Sequence, residues 1–165
     1  MQKRCLPAVL LVLLLAGCAG SGAAPAASSP PPSAEGRQVL MTAGDVEVVI
    51  TLNGSRAAAD FAQMLPLELD LIERNRFAKG MTLPRALDTS EETTRSYQVG
   101  DFGYWAAGPD LAIFYDDIYE QTVVPVIPVG HAESGAEQMR YAAGTVTLEL
   151  LPETQQIPEE SEETP

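Results

Sequence analysis

The stretch Val99–Tyr115, VGDFGYWAAGPDLAIFY, decides how this chain is read. It holds the only tryptophan, Trp105, and two of the four phenylalanines, Phe102 and Phe114. Asp101–Trp105 and Leu111–Tyr115 are aromatic and apolar runs of strand length, led in by Tyr97-Gln98-Val99. Ala107-Gly108-Pro109-Asp110 supplies turn chemistry between them, with proline fixing φ and glycine tolerating positive φ. The stretch predicts an aromatic hairpin that the rest of the domain must bury.

Strand patterns flank it on both sides. Val39–Thr42 and Val46–Leu52 predict a first pair around Ala43-Gly44-Asp45, with Val46, Val48, Ile50 and Leu52 on one face. After the turn signal Asn53-Gly54, Ser55 is an N-cap for a helix to about Met64. Ala58, Phe61, Ala62 and Leu65 would form its core stripe, and Pro66 ends it. Leu67–Glu73 alternates, with Leu67, Leu69 and Leu71 inward. Arg74–Gly80 predicts a turn and a short strand, and 88–95 and 116–123 predict loops. Val124–Gly130 is a strand interrupted by proline, suited to an edge or a bulge. Ser134-Gly135-Ala136-Glu137 has the spacing of a capping box, for a helix to about Ala142. Thr145–Leu151 alternates again, with Val146, Leu148 and Leu150 inward. Seven or eight short strands in hairpin succession and two short helices predict a mainly β domain, a closed or nearly closed antiparallel barrel. Closure also removes the unpaired edges that many short strands would expose.

The two ends read differently. Lys3 and Arg4 precede the apolar run Leu6–Ala16, which is too short for an ordinary membrane-spanning helix. The run ends in Leu15-Ala16-Gly17-Cys18, which resembles the lipobox of bacterial lipoprotein precursors. That resemblance implies a leader over residues 1–17, cleavage before Cys18, and a diacylglyceryl thioether plus an N-acyl chain, such as palmitate, on Cys18. The alternative is a plain secretory signal with an incidental cysteine. Several acyl chains anchor far more firmly than one, at ~0.8 kcal/mol per buried CH₂. Residues 18–36 then form a lipidated cysteine and a Pro/Ala/Ser-rich tether. The domain is expected over 37–151 and an acidic disordered tail over 152–165. The expected location is the bacterial cell envelope, facing outside the cytoplasm, and Ala19 is compatible with outer-membrane sorting where two membranes exist.

Composition narrows the function classes. Cys5 would leave with the leader, so no disulfide framework, thiol nucleophile or cysteine-based metal site is expected. The net charge of −13, more negative still without Lys3 and Arg4, argues against nucleic acid and against lying flat on anionic lipid.

The sequence resembles the cyclophilin-like barrel domains of bacteria and archaea over about Val39–Leu151. The matching features are Phe61 with Met64–Leu69, Leu83-Pro84, Gly100–Trp105, Leu111–Tyr115, Val129-Gly130 and Gly144-Thr145-Val146. The resemblance implies an eight-stranded barrel with helices packed at its openings. Gln98-Val99-Gly100-Asp101-Phe102 is similar to one half of a cyclophilin site. The Phe-His-Arg segment of the other half is missing, and Ser90 stands where the catalytic arginine would fall. Proline isomerisation must lower a barrier of ~18–20 kcal/mol, which calls for a cation at the imide. Arg85 or Arg95 would have to supply it from elsewhere.

Other chemistry is weaker. Asp101-Phe102-Gly103 spells a kinase magnesium motif without its phosphate loop or catalytic loop. His131, the only histidine, is expected on a solvent-facing loop, and Asp116, Asp117 and Glu120 form a solvated acidic turn without a calcium-loop pattern. No catalytic residue, metal ligand or cofactor is assigned. The candidate ligand groove comprises Arg85, Gln98, Tyr104, Trp105, Phe114 and Tyr119, because Tyr and Trp keep a polar atom wet while presenting apolar area. The expected function is a membrane-anchored module binding a peptide or small ligand. The alternative is a peptidyl-prolyl isomerase with a degenerate site.

Overall fold

In the computed structural model, the structure describes residues 32–105 and 107–152. Nine antiparallel strands form a single sheet that curls into a nearly closed barrel, and one α-helix and one 3-10 helix accompany it. The strands are β1 (Gln38–Ala43), β2 (Val46–Leu52), β3 (Leu67–Asp70), β4 (Ile72–Arg74), β5 (Ala78–Thr82), β6 (Asp101–Trp105), β7 (Asp110–Phe114), β8 (Ile127–His131) and β9 (Thr145–Leu150). Their order is β3-β9-β1-β2-β8-β6-β7-β5-β4.

The two outermost strands, β3 and β4, are consecutive in the chain. The single alternating strand expected over Leu67–Glu73 is therefore two. Leu67–Asp70 pairs with β9, Ile72–Arg74 pairs with β5, and Leu71 is the pivot, its N–H donating to Gly144 O at 2.8 Å. One bent segment thus joins both edges of the sheet, which is why eight expected strands become nine. The leucine alternation survives the bend, since Leu67, Leu69 and Leu71 all pack against the barrel core.

The period-two pattern of β2 places Val48, Ile50 and Leu52 inside, each at most 2 % exposed. They share one core with Ile127 and Val129 of the neighbouring β8 and with Phe102, Tyr104, Leu111 and Ile113 of β6 and β7. Helix α1 (Arg56–Ala62) begins as expected at Ser55, whose Oγ accepts from Ala58 N–H at 3.0 Å. Its Phe61 ring lies 5.5 Å from that of Phe102 and plugs the barrel. Burying such a ring contributes about 1.5–3 kcal/mol.

Three local expectations need correction, and a fourth is narrowed to one of its alternatives. The second helix (Ala136–Tyr141) is 3-10, and its start is Gly135 at φ +82 with no side-chain cap, so Ser134 and Glu137 form no capping box. Buried Ala136 and Met139 seat it instead. Of the edge or bulge expected for the proline-interrupted strand it is the bulge that holds: β8 lies between β2 and β6, with a register shift at Phe102 and Gly103 beside Pro128. Gly108 does not take positive φ; the β6–β7 turn is closed by Gly108 N–H donating to Trp105 O at 3.2 Å. His131 is no loop residue, for it ends β8. Ahead of β1, Ala34 is fully buried and Gly36 N–H bonds Leu52 O at 3.0 Å, so this end of the expected tether packs onto the barrel. The leader, Cys18 and residues 153–165 of the acidic tail lie outside the described residues.

Candidate functional site

Alternation along the opening hairpin sends its aromatic residues to opposite sides. Phe102 and Tyr104 of β6 point inward, as do Leu111 and Ile113 of β7. Trp105, Ala112 and Phe114 face outward, where a second apolar layer forms with Phe77, Ala78, Val126 and Tyr97. Its rings are in mutual contact: Tyr97 and Phe114 are 4.6 Å apart, Phe77 and Phe114 5.6 Å, Trp105 and Phe114 6.2 Å edge-on. Gly103 makes room for it. A Cβ there would stand 2.2 Å from Val126 Cγ1, so only glycine lets Val126 seat on β6.

Residues 116–125 form a strap over this layer. Tyr119 packs edge-on to Phe77 at 5.2 Å, and its N–H donates to the Tyr97 hydroxyl at 3.1 Å. Burial pushes the Tyr97 phenol up, partly offset by that hydrogen bond. Arg95 donates to the carbonyls of Thr122 and Val123, and Thr94 bridges to Val126. The strap is therefore pinned by backbone carbonyls, which leaves Tyr119 and Val123 49 % and 85 % exposed.

Between the strap and the β6–β7 turn lies a cleft of about 540 Å³. Trp105, Phe77, Tyr119, Val123 and Val124 give it apolar walls, while Arg74, Asn75, Gln121 and Thr122 bring polar groups. Arg74 crosses the bare backbone of Gly80, where a Cβ would stand 2.6 Å from its Nε. Its Nη2 pairs with Asp110 at 3.0 Å, and Asp110 also accepts from Thr82 at 2.6 Å. Arg74 Nε and Trp105 Nε1 are buried without a hydrogen-bond partner among the described residues. Leaving a buried donor unsatisfied costs about 1–3 kcal/mol.

The six residues expected to share one groove are divided by the barrel wall. Trp105 and Tyr119 line the cleft. Tyr104 is inside the barrel, 1 % exposed, with its hydroxyl accepting from Leu87 N–H at 3.3 Å. Phe114 is buried beneath the cleft rather than lining it. Gln98 sits in the turn before β6, its N–H donating to Asp101 at 2.8 Å. Arg85 turns to the helix, reaching Asp60 O at 3.3 Å and its carboxylate at 3.9 Å. Arg74, Phe77 and the strap valines were missed, because nothing in a lone sequence shows that residues 74, 105 and 123 converge.

Two further groups resolve plainly. His131 Nδ1 meets Asp101 Oδ1 at 2.9 Å across β8 and β6, with both side chains 39 % exposed. Asp116 is engaged by Arg140 and accepts from Asp117 N–H at 2.9 Å. Among the described residues no group of three or more metal-binding side chains gathers.

A nearly closed antiparallel barrel whose two edges meet in one bent segment, with an outer aromatic cleft, defines a cyclophilin-like β domain. The chain belongs to the cyclophilin-like family, matching it over residues 41–150. The solution structure of a hypothetical protein from Archaeoglobus fulgidus shares the fold at 17 % identity and a TM-score of 0.60, over 73 % of this chain and 98 % of that one. No curated protein matches.

Proposed function

We propose that this chain is a lipid-anchored, extracytoplasmic binding module that takes a peptide segment or small ligand of apolar body in the Trp105–Tyr119 cleft, without catalysis. The carrying observation is the cleft itself: exposed Tyr119 and Val123 face Trp105 across a hollow large enough for several side chains. Exposed apolar residues gathered in a concavity mark binding sites far more often than scattered ones do. The anchor rests on Leu15-Ala16-Gly17-Cys18 in the sequence.

The absence of isomerase chemistry is supported by where the arginines go. Arg85 is held at Asp60, Arg95 is committed to strap carbonyls, and Arg74, the arginine lining the cleft, is paired with Asp110. A fragment screen read by Trp105 emission and by thermal shift tests the reading. Binders should shift the emission, and Trp105→Ala or Tyr119→Ala should abolish their thermal shift in a folded protein. Binding that survives both substitutions overturns the cleft. A protease-coupled proline-peptide assay should give no rate above buffer. For the anchor, Cys18→Ser should yield soluble or unprocessed protein, and a processed, membrane-retained form would overturn it.

A further inference from the structure

The turn that joins β4 to β5 serves two depressions. Asn75 and Arg76 are consecutive non-glycine residues at φ +50 and +63. Asn75 lines the aromatic cleft, whereas Arg76 lines a separate hollow of about 400 Å³ with Glu73, Tyr115, Asp116, Ile118 and Arg140. Asn75 and Arg76 are the central pair of the hairpin turn closed by Phe77 N–H donating to Arg74 O at 3.2 Å, where positive φ at both positions suits the twist of the flanking strands.

The lining holds two carboxylates and two guanidiniums, and Lys79, which pairs with Glu73 from outside the lining, adds a third cation. Glu73 is fully engaged: Oε2 takes Lys79 Nζ at 2.9 Å, and Oε1 accepts the Tyr115 hydroxyl at 2.8 Å and Arg76 N–H at 3.0 Å. Lys79 is only 6 % exposed, held by this pairing and by the Tyr115 ring 5.7 Å from its Nζ. Asp116 accepts from Arg140 and from Asp117 N–H. The Arg76 guanidinium is left without a hydrogen-bond or ion-pair partner among the described residues. Arg140, 5.6 Å over the Tyr115 ring, uses one nitrogen on Asp116 and keeps the rest of its fork open. A surplus guanidinium in a concavity, on a protein of net charge −13, calls for an anionic guest.

We propose that Arg76 and Arg140 form a binding site for a small oxyanion, a carboxylate or a phosphate. Guanidinium groups hold both through paired N–H donors in a planar fork. The site is independent of the aromatic cleft, with which it shares no residue. The Glu73 carboxylate, fastened to Lys79 and Tyr115, sets the turn that presents Arg76.

Nitrogen-15 NMR of the full chain, titrated separately with inorganic phosphate and with acetate, tests this. A saturable shift of the Arg76 and Arg140 Nε–H signals, absent at Arg37, is expected for at least one anion, and which one responds distinguishes a phosphoryl from a carboxylate site. Arg76→Gly should weaken binding ~10-fold or more while the melting temperature stays level or rises, because glycine accepts positive φ freely. No saturable shift with either anion, unchanged affinity in Arg76→Gly, or a lowered melting temperature in that variant would each overturn the proposal, the last by making Arg76 a structural brace.

Discussion

The Arg74 guanidinium lies 5.8 Å over the Trp105 ring while its Nη2 grips Asp110 at 3.0 Å. One side chain from β4 therefore clamps both ends of the β6–β7 turn. Because the ion pair is partly exposed, its own worth is small, about 0–1 kcal/mol, and the cation–π contact adds about 0.5–1 kcal/mol. Arg74→Met keeps much of the packing and loses both. We expect a destabilisation of roughly 1 kcal/mol in urea, together with a red shift and broadening of Trp105 emission as the indole loosens. Unchanged emission would separate Arg74 from the position of the indole.

Gly103 is required by contact rather than by backbone angle. Gly103→Ala places a methyl 2.2 Å from Val126 Cγ1, and overpacking of this kind costs about 1–3 kcal/mol. Val126→Ala in the same chain should recover part of that loss. A double-mutant cycle by denaturant unfolding measures the coupling, and strict additivity would show that Val126 does not rest on β6.

Tyr104 and Trp105 are neighbours on opposite sides of the barrel wall. Tyr104→Phe removes the acceptor of the buried Leu87 N–H, a loss of about 1–3 kcal/mol by unfolding. Cleft ligands found by the fragment screen should bind this variant with unaltered affinity. A changed affinity would reconnect Tyr104 to the site.

How much of this was legible beforehand follows from what each signal encodes. The strands were readable because period-two alternation is local, as at Val46–Leu52. The Ser55 cap was readable because it is one hydrogen bond to Ala58 three residues on. The Leu67–Glu73 run showed its faces but hid its bend, since alternation says nothing about which neighbour a strand pairs with. Ser134 had the spacing of a cap, yet Gly135 took a left-handed backbone that aims the chain elsewhere. The groove was half seen. Aromatic composition singled out Trp105 and Tyr119, but their partners Arg74 and Val123 come from remote segments joined only by the closed sheet.

The alkaline limb of stability should carry the mark of Tyr115. Burial first, and then its hydrogen bond to Glu73, push its hydroxyl up to about 12 from an ordinary 10.0. The folded state thus holds the proton more tightly than the unfolded chain. Its contribution is complete below pH 10.0 and is lost as the pH rises toward about 12. Tyr115→Phe should flatten the fall in unfolding free energy across that window relative to the parent protein. An identical slope would remove Tyr115 as its source.

Glu73 governs the acid side. Burial alone would raise its carboxyl, but the hydrogen bonds from Lys79 and Tyr115, with the Lys79 charge, hold it below the usual 4.5. Its contribution is present above 4.5 and disappears as the pH falls through the lower folded value. Glu73→Gln should therefore weaken the acid dependence of unfolding below that point while destabilising the protein at neutral pH, where Lys79 loses its counter-charge.

The position of β9 between β3 and β1 has a consequence for how this protein comes into being. Thr145–Leu150 is the last strand among the described residues, and it is the plank on which both the first hairpin and the bent closing strand must lean. A nascent chain emerging from a ribosome or a translocation channel cannot seal its wall until that plank has followed. Until then the leucines of residues 67–71 lack the strand that tucks them in. A stop codon before Thr145 would therefore leave an open sheet with uncovered leucines rather than a slightly shorter barrel.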